Sequence, residues 1–590
     1  MALTAIVYDR VDALALDAYP GVEKVIALTP DAQAELRANW DTIGTSSELL
    51  SDFGHARALV WCRDVQNRII AACARHQLLD PILSNLIINR IRQLASVASR
   101  VHMTLRAIPK GHVLLLKCGE NWREFEDYNI AANALTAELL WRSTAELDPG
   151  FKPPPFPWLY RQCAKLILRT LKKHGTWVIS TRMGLPFGLA GVLENSQPML
   201  RQLIVTQSAG WRDYPRLAIS VWKFWRSPTA KFHLPIPVCT DAATFAAATE
   251  VLEECRNPFV ARAIDTDSAT TAKSVSVILG TSDSALEVIR EIEAVGCVSY
   301  QTSSEAEHIV ARICAKLSLK RFNVNYNSHT FSTGARNRFS NHEHYRLKVY
   351  NGLSDVVFTW SPGASKVAEA LKINGDEKRI EPLAAIPMID DEVAQRKLRI
   401  RSRPQILHAG SFLSWDRSLL WCVETSDEYA DSIISLAKAI LPLSEIDLNV
   451  RCKRKGECGL DVIRDLAPSG PNIEYSGTEI PYQDVIQDCV LLVSFMSTVI
   501  EEALLFRTPV LLWGPTERYT HLEPRRTIPT GPDDRAAVYT VSDQAALPEM
   551  VRAIIAAHGS LPLTDTEIEP YVWSADVPGI ESFAERILAS

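Results

Sequence analysis

The apolar positions of this chain follow two spacings. Short runs rich in Val, Ile and Leu, bounded by polar or turn residues, read as buried strands; longer stretches with an apolar residue every third or fourth position read as helices with one core-facing side. In the first 120 residues Ala5–Tyr8, Val25–Leu28, Ala58–Cys62 and Val113–Leu116 read as strands and Ile82–Val101 as a helix. Thr29-Pro30-Asp31 marks a helix start, because Thr can cap and Pro is tolerated in the first turn. A helical pattern over Tyr128–Thr144 ends before the proline run Lys152–Pro157, which no helix can cross and which reads as a domain boundary.

Residues 158–265 carry the weakest periodicity. Trp177–Ser180 reads as a strand, and the aromatic-rich Arg216–Trp225 as part of a segment buried on all sides or an insertion. From Lys273 the alternation returns. Val275–Leu279, Cys297–Tyr300, Phe322–Tyr326 and Val356–Trp360 read as strands; Ser284–Ala294, Ser304–Leu317 and a segment from Ser361 to Leu371 read as helices. Glu381–Pro404 reads as a crossover linker with a basic run, Arg396–Arg403, that is either solvated or in contact with an anionic lipid-linked acceptor. The last unit has the clearest pattern. Six strands (Gln405–His408, Asp447–Arg451, Asn472–Tyr475, Val490–Phe495, Val510–Trp513 and Val538–Val541) alternate with helices at Asp427–Leu441, Tyr482–Asp488, Thr498–Phe506 and Asp543–Ala557. That alternation predicts a doubly wound parallel sheet. The expected fold class is therefore α/β: an N-terminal α/β region (1–150), a Rossmann-like domain with an insertion (151–390), a second Rossmann-like domain (391–560) and a C-terminal tail helix (561–590).

Composition narrows the function. The chain has 590 residues, 47% apolar and 22% charged, and a net charge of −6, without the basic excess of a nucleic-acid binder. The start MALTAIVYDR lacks the features of a signal peptide, and no window holds the ~20 apolar residues of a bilayer span. A cytoplasmic protein is expected, with contact at most peripheral to the inner face of the membrane. The twelve cysteines show no CxxC pair and read as reduced core thiols; no metal site is expected, and His342 and His344, two residues apart, do not share a helix face.

In a doubly wound sheet ligands bind beyond the carboxyl ends of the strands. Three segments of the last unit fall there. Gly410 and Ser411 follow the first strand, where a small residue lets backbone approach a phosphate or simply makes the turn. Arg451 and Lys453 follow the second, as oxyanion partners or a solvated face. After the fourth strand comes Ser497-Thr498-Val499-Ile500-Glu501-Glu502-Ala503-Leu504, with Thr508-Pro509-Val510 opening the next strand. Ser497 and Thr498 can cap a helix or present backbone N–H groups to a phosphate; Glu501 and Glu502 can complement the helix end or accept ribose hydroxyls. Glu424, in the acidic cluster Glu424–Glu428, is either part of a helix cap or a carboxylate near a sugar. His329, in the polar loop after Phe322–Tyr326, is a candidate general base or hydrogen-bond donor, or an ordinary loop histidine.

Ser-Thr-x-x-Glu-Glu-Ala-Leu followed by Pro-Val resembles the donor-binding segment of glycosyltransferases with two facing Rossmann-like domains, the GT-B type. Arg507 stands where such families often have glycine. Domain order over about 273–557 also resembles capsule and surface-polysaccharide transferases, including those using CMP-activated Kdo or sialic acid. The resemblance implies a nucleotide sugar (CMP-Kdo-like or UDP-linked) as substrate, held by 391–560 through Ser497, Thr498 and Glu501 or Glu502. It implies a glycan or lipid-linked acceptor on 151–390, no cofactor and no required metal. The rival expectations are a sugar-nucleotide 2-epimerase on the same fold and a non-catalytic scaffold of envelope-polysaccharide assembly.

Overall fold

A computed structural model describes residues 3–16, 18–40, 43–45, 64, 67–76, 87, 97–98, 100–108, 113–145, 157–181, 193, 200–208, 213–226, 231–254, 261–299, 305–325, 331–332, 354–371, 378–384, 403–412, 424–452, 458–514, 519–559, 561–574 and 576–589. The expected strand Ala58–Cys62 and most of the basic run Arg396–Arg403 lie outside these residues.

Three sheets organise the chain. The first holds β1 (Leu3–Val7), β2 (Val22–Ala27), β3 (Ile43–Thr45), β4 (Val113–Cys118) and β5 (Asn121–Phe125) in the order β3-β2-β1-β4-β5, parallel except for the edge strand β5. The second holds seven parallel strands: β6 (Thr176–Thr181), β7 (Leu200–Ser208), β8 (Lys231–Pro237), β9 (Gly296–Ser299), β10 (Lys320–Asn325), β12 (Val356–Thr359) and β13 (Arg379–Pro382), ordered β13-β12-β10-β9-β6-β7-β8. A two-residue strand β11 (Phe331–Ser332) falls between β10 and β12 in sequence. The third holds β14 (Gln405–Ala409), β15 (Asp447–Arg451), β16 (Ile473–Ser476), β17 (Leu491–Ser494), β18 (Val510–Trp513) and β20 (Val538–Val541), ordered β16-β15-β14-β17-β18-β20 and parallel throughout. In each large sheet the chain runs outward from the middle in one direction and then returns to fill the other half. This is the doubly wound pattern. Every residue of β14, β17 and β18 is buried, as expected of parallel strands covered on both faces.

A loop from the carboxyl end of the second sheet pairs with one from the carboxyl end of the third. Six residues past β10, β11 pairs antiparallel with β19 (Tyr519–Thr520), which itself starts six residues past the end of β18. This short clasp ties together two loops that leave the same end of their sheets. The chain terminus adds a second tie. After the short helix Asp565–Ile568, the Trp573 indole donates to the Thr359 carbonyl at the end of β12, 2.8 Å away. The final helix Phe583–Ala589 then packs Phe583 and Ile587 against Val298, Phe322 and Phe358 of the second sheet. The tail is thus a short helix whose Ile568 packs on the third sheet, followed by a 3-10 turn and a second short helix on the second sheet, where the sequence suggests one helix.

The N-terminal unit packs against two helices of the third, Leu460–Leu466 and Ser426–Ile440. Arg37 donates to the carbonyls of Asp465 and Leu466 (3.2 and 2.9 Å), at the carboxyl end of helix Leu460–Leu466, where a cation complements the helix dipole. Arg100 and Asp427, both buried, form an ion pair at 2.6 Å.

Two readings of the middle region are corrected. Val275–Leu279 is not a strand, and Ser284–Ala294 is not a separate helix. Both belong to one helix, Ala261–Ile289, ending in a 3-10 turn at Arg290–Ile292. Ala272, Val275, Ile278, Ser282, Ala285 and Ile289 are buried at spacings of three and four, so packing of that face overrides the strand preference of a β-branched run. Residues 158–265 are likewise not an insertion: they supply β6, β7 and β8, three of the seven strands of the second sheet.

Candidate functional site

In the third sheet the strand order reverses between β14 and β17, and the crevice outside their carboxyl ends is where a doubly wound sheet binds ligands. The loops leaving these strands meet there. Ser411 N donates to the Met496 carbonyl (3.2 Å), and the Ser411 and Ser497 hydroxyls lie 3.3 Å apart. Ser497 Oγ accepts from Val499 N (3.4 Å) at the start of helix Val499–Leu505, while Thr498 takes helical dihedrals with its hydroxyl free of any cap bond. Gly410 has a packing reason: a Cβ would lie 2.8 Å from the Tyr429 ring, on which Phe412 also rests, 5.1 Å between centroids. Gly514, at the end of β18, makes room in the same way for Phe495, whose ring would meet a Cβ at 2.3 Å.

Beneath these loops lie polar groups that a purely structural core would not need. His408 is buried in β14; burial lowers its pKa to about 4 and keeps the imidazole neutral. Neither its Nδ1 nor the buried Ser494 hydroxyl at the end of β17 has a hydrogen-bond partner among the described residues.

The two glutamates of the helix have different surroundings. Glu501 is buried against His521, whose Nε2 lies 3.0 Å from both carboxylate oxygens. His521 follows β19, so this pair fastens the helix to the clasp. Glu502 is 8% exposed, and among the described residues nothing hydrogen-bonds to its carboxyl. Burial, reinforced by the neighbouring Glu501 charge, raises its pKa to about 7. Tyr482, buried, donates to the Val499 carbonyl (2.9 Å); burial first, then the Glu502 charge, push its phenol well up. Arg451 sits in register beside Ala409 at the end of β15, half-buried and without an ion-pair partner among the described residues; burial lowers its pKa, while Tyr482 and Glu479 oppose that shift.

Other candidates divide as follows. Glu424 is enclosed and accepts from the Ser432 hydroxyl at 2.6 Å; the cap of helix Ser426–Ile440 is Thr425, in a reciprocal box with Glu428. Lys453 and His329 lie outside the described residues. His521, Tyr482 and Gly514 went unremarked in the sequence, since a lone histidine, an aromatic and a glycine carry no motif. Among the described residues no group of three His, Cys, Asp or Glu is arranged to hold a metal ion.

Arg507 has a backbone account. Its φ is +62°, in the left-handed region. Arg507 N donates to Leu504 O and Thr508 N to Ala503 O, both at 2.9 Å, closing the helix in a Schellman turn. This is the position where glycine costs least, so the departure from the glycosyltransferase pattern is a strained residue within an unchanged turn.

No family model matches the chain, and no curated protein matches it. Among solved structures, a putative UDP-N-acetylglucosamine 2-epimerase from Listeria monocytogenes superposes at 12% identity and TM-score 0.38, covering 70% of this chain and 95% of that one. The UDP-GlcNAc 2-epimerase of Neisseria meningitidis bound to UDP-GlcNAc does so at 11% and 0.37, over 70% and 98%. MurG of Acinetobacter baumannii does so at 9% and 0.37, over 70% and 100%. Superpositions this loose carry no argument about chemistry.

Proposed function

We propose that this protein is a glycosyltransferase that binds a nucleotide-activated sugar at the switch point of the third sheet and transfers the sugar to a hydroxyl acceptor on the second-sheet unit. The observation that carries the reading is Glu502: a buried carboxyl with no hydrogen-bond partner among the described residues, at the mouth of a doubly wound sheet, on one side of a buried tyrosine, Tyr482, that also feels the charge of Arg451, itself without an ion-pair partner among those residues. A buried carboxyl left unpartnered costs stability, and such groups concentrate at functional sites. In this reading Glu502 accepts hydrogen bonds from the ribose hydroxyls and Arg451 meets the phosphate of the donor. Ser411, Ser497 and the N–H groups after β17 complete the phosphate cradle. Glu501 has a different task, holding the helix against the clasp through His521.

Stabilisation of the leaving phosphate by Arg451, with Lys453 beside it in sequence, needs no metal in this account. His329, between β10 and the clasp strand β11 in sequence, is the proposed base from the second-sheet unit. A CMP- or UDP-linked sugar and a growing glycan or lipid-linked acceptor fit the resemblance best.

The test is a thermal-shift screen with CMP, UDP, GDP and ADP, followed by product analysis with the matching nucleotide sugar. A nucleotide at about 100 times its Kd stabilises the fold by roughly 2.7 kcal/mol. Acceptor-dependent release of nucleotide supports transfer. Isomerised sugar formed without acceptor supports the epimerase reading, and no stabilisation by any of the four defeats both.

A further inference from the structure

Helix Asp213–Arg226, between β7 and β8, turns Leu217 and Phe224 into the core. The opposite face of a helix bordering water is ordinarily polar. Here it presents Ile219, Trp222 and Trp225, the two tryptophans 56% and 64% exposed. Helix Pro157–Lys172, ahead of β6, does the same. It buries Tyr160, Ala164, Leu168 and Leu171 in the same core and leaves Trp158, Leu159 and Leu166 outward, the tryptophan 65% and Leu166 62% exposed. Because both helices feed one core, both outward faces look away from the same side of the second sheet. Their carboxyl ends meet at His174, whose ring lies 5.7 Å from Phe224 and 6.3 Å from Trp225.

The charge on these helices is one-sided. Together they carry seven lysines and arginines against one aspartate, in a chain of net charge −6. Lys165, Arg169 and Lys172 are matched along one flank by Glu287, Glu291 and Glu293. At the meeting point Arg226 lies over the Trp222 ring, 5.2 Å from its centroid, and among the described residues neither Lys173 nor Lys223 pairs with a carboxylate.

We propose that this face docks on an anionic lipid bilayer. Tryptophan is favoured where one end of the ring is apolar and the other wet, and aliphatic side chains on a convex helical face bury at the headgroup boundary. Unpaired lysines and arginines beside them add attraction to anionic headgroups. Among the described residues no helix is long and apolar enough to cross a membrane, so the contact is with the surface. The inference does not depend on the nucleotide-sugar reading, since none of these residues belongs to that site.

The experiment is co-sedimentation of the full chain with vesicles of phosphatidylcholine alone and of an equal mixture of phosphatidylcholine and phosphatidylglycerol. Binding is expected to the mixed vesicles only and to weaken with salt. Trp222→Ala with Trp225→Ala should weaken it about ten-fold or more, and Lys223→Glu with Arg226→Glu by at least about thirty-fold. Because these side chains are exposed, both variants should keep the wild-type melting temperature, which separates lost docking from lost fold. Absence of binding to mixed vesicles, or equal binding by wild type and both variants, overturns the proposal. So does a wild-type dimer that the tryptophan variant dissociates while vesicle binding is unchanged, because the face is then a subunit interface.

Discussion

The two doubly wound sheets share a strand order but use charge differently. On the second sheet, Arg321 at the start of β10 is clamped by Asp355 just before β12, with Arg321 Nη2 2.6 Å and Nε 3.1 Å from the carboxylate oxygens, and Arg586 of the final helix meets Glu381 of β13. These groups answer one another, and pairing with Arg321 draws the Asp355 carboxyl below its ordinary range against the pull of burial. On the third sheet the pairing stops at the carboxyl ends: Glu501 has His521, while Glu502 and Arg451 have no partner of opposite charge among the described residues. Paired charges hold the fold; unpaired ones, kept at a cost, mark where an outside partner belongs.

The contrast can be broken at its paired side first. Arg100→Ala leaves Asp427 charged and buried, and should lower stability by about 3–5 kcal/mol, read by denaturant unfolding. Glu501→Ala removes a buried partner from His521 in the same manner and should cost about 3 kcal/mol, with any loss of nucleotide affinity following the loss of fold.

Glu502→Gln should act in the opposite sense. A carboxyl whose folded pKa is raised from 4.5 to about 7 binds its proton more tightly in the native state, so it contributes no penalty below about pH 4. The penalty grows between pH 4.5 and 7 and is complete above 7. The variant should therefore match wild type at pH 4 and exceed it by up to about 3 kcal/mol at pH 8, in thermal melts across that range. Equal stability at both pH values would mean that Glu502 is already satisfied.

Two smaller effects sharpen the picture. Arg451→Ala should leave stability within about 1 kcal/mol and weaken nucleotide binding by about ten-fold or more, measured by calorimetry. Arg507→Gly relieves a left-handed residue and should stabilise by at most about 1 kcal/mol, since the exposed Asp565 it pairs with contributes little.

Much of this architecture is legible in the sequence where burial is complete. Val510–Trp513 coincides with β18, because a strand covered on both faces must be a continuous apolar run and turn residues bound it on either side; Val538–Val541 coincides with the edge strand β20, whose last two residues are only half-buried. Legibility fails where tertiary packing decides. The run Val275–Leu279 has strand-forming residues but is held in a helix by neighbours that no local window contains. Arg216–Trp225 looks buried on all sides because its outward face is apolar, yet Trp222 and Trp225 stand in solvent. The same limit applies at the site. Glu501 and Glu502 are adjacent and alike in sequence; the distinction comes from His521, twenty residues on and brought back by the clasp with β11.

The most direct measurement is calorimetric titration of the best nucleotide into wild type and Glu502→Gln at pH 6 and pH 8. If the ribose is held by the carboxylate, wild-type affinity should rise by about ten-fold across that interval beyond whatever rise the variant shows, and the variant should bind at least about ten-fold more weakly at pH 8. Equal affinity of the two proteins at pH 8, with the same dependence on pH, would contradict the assignment of Glu502 to the donor and with it the placement of the nucleotide at this switch point.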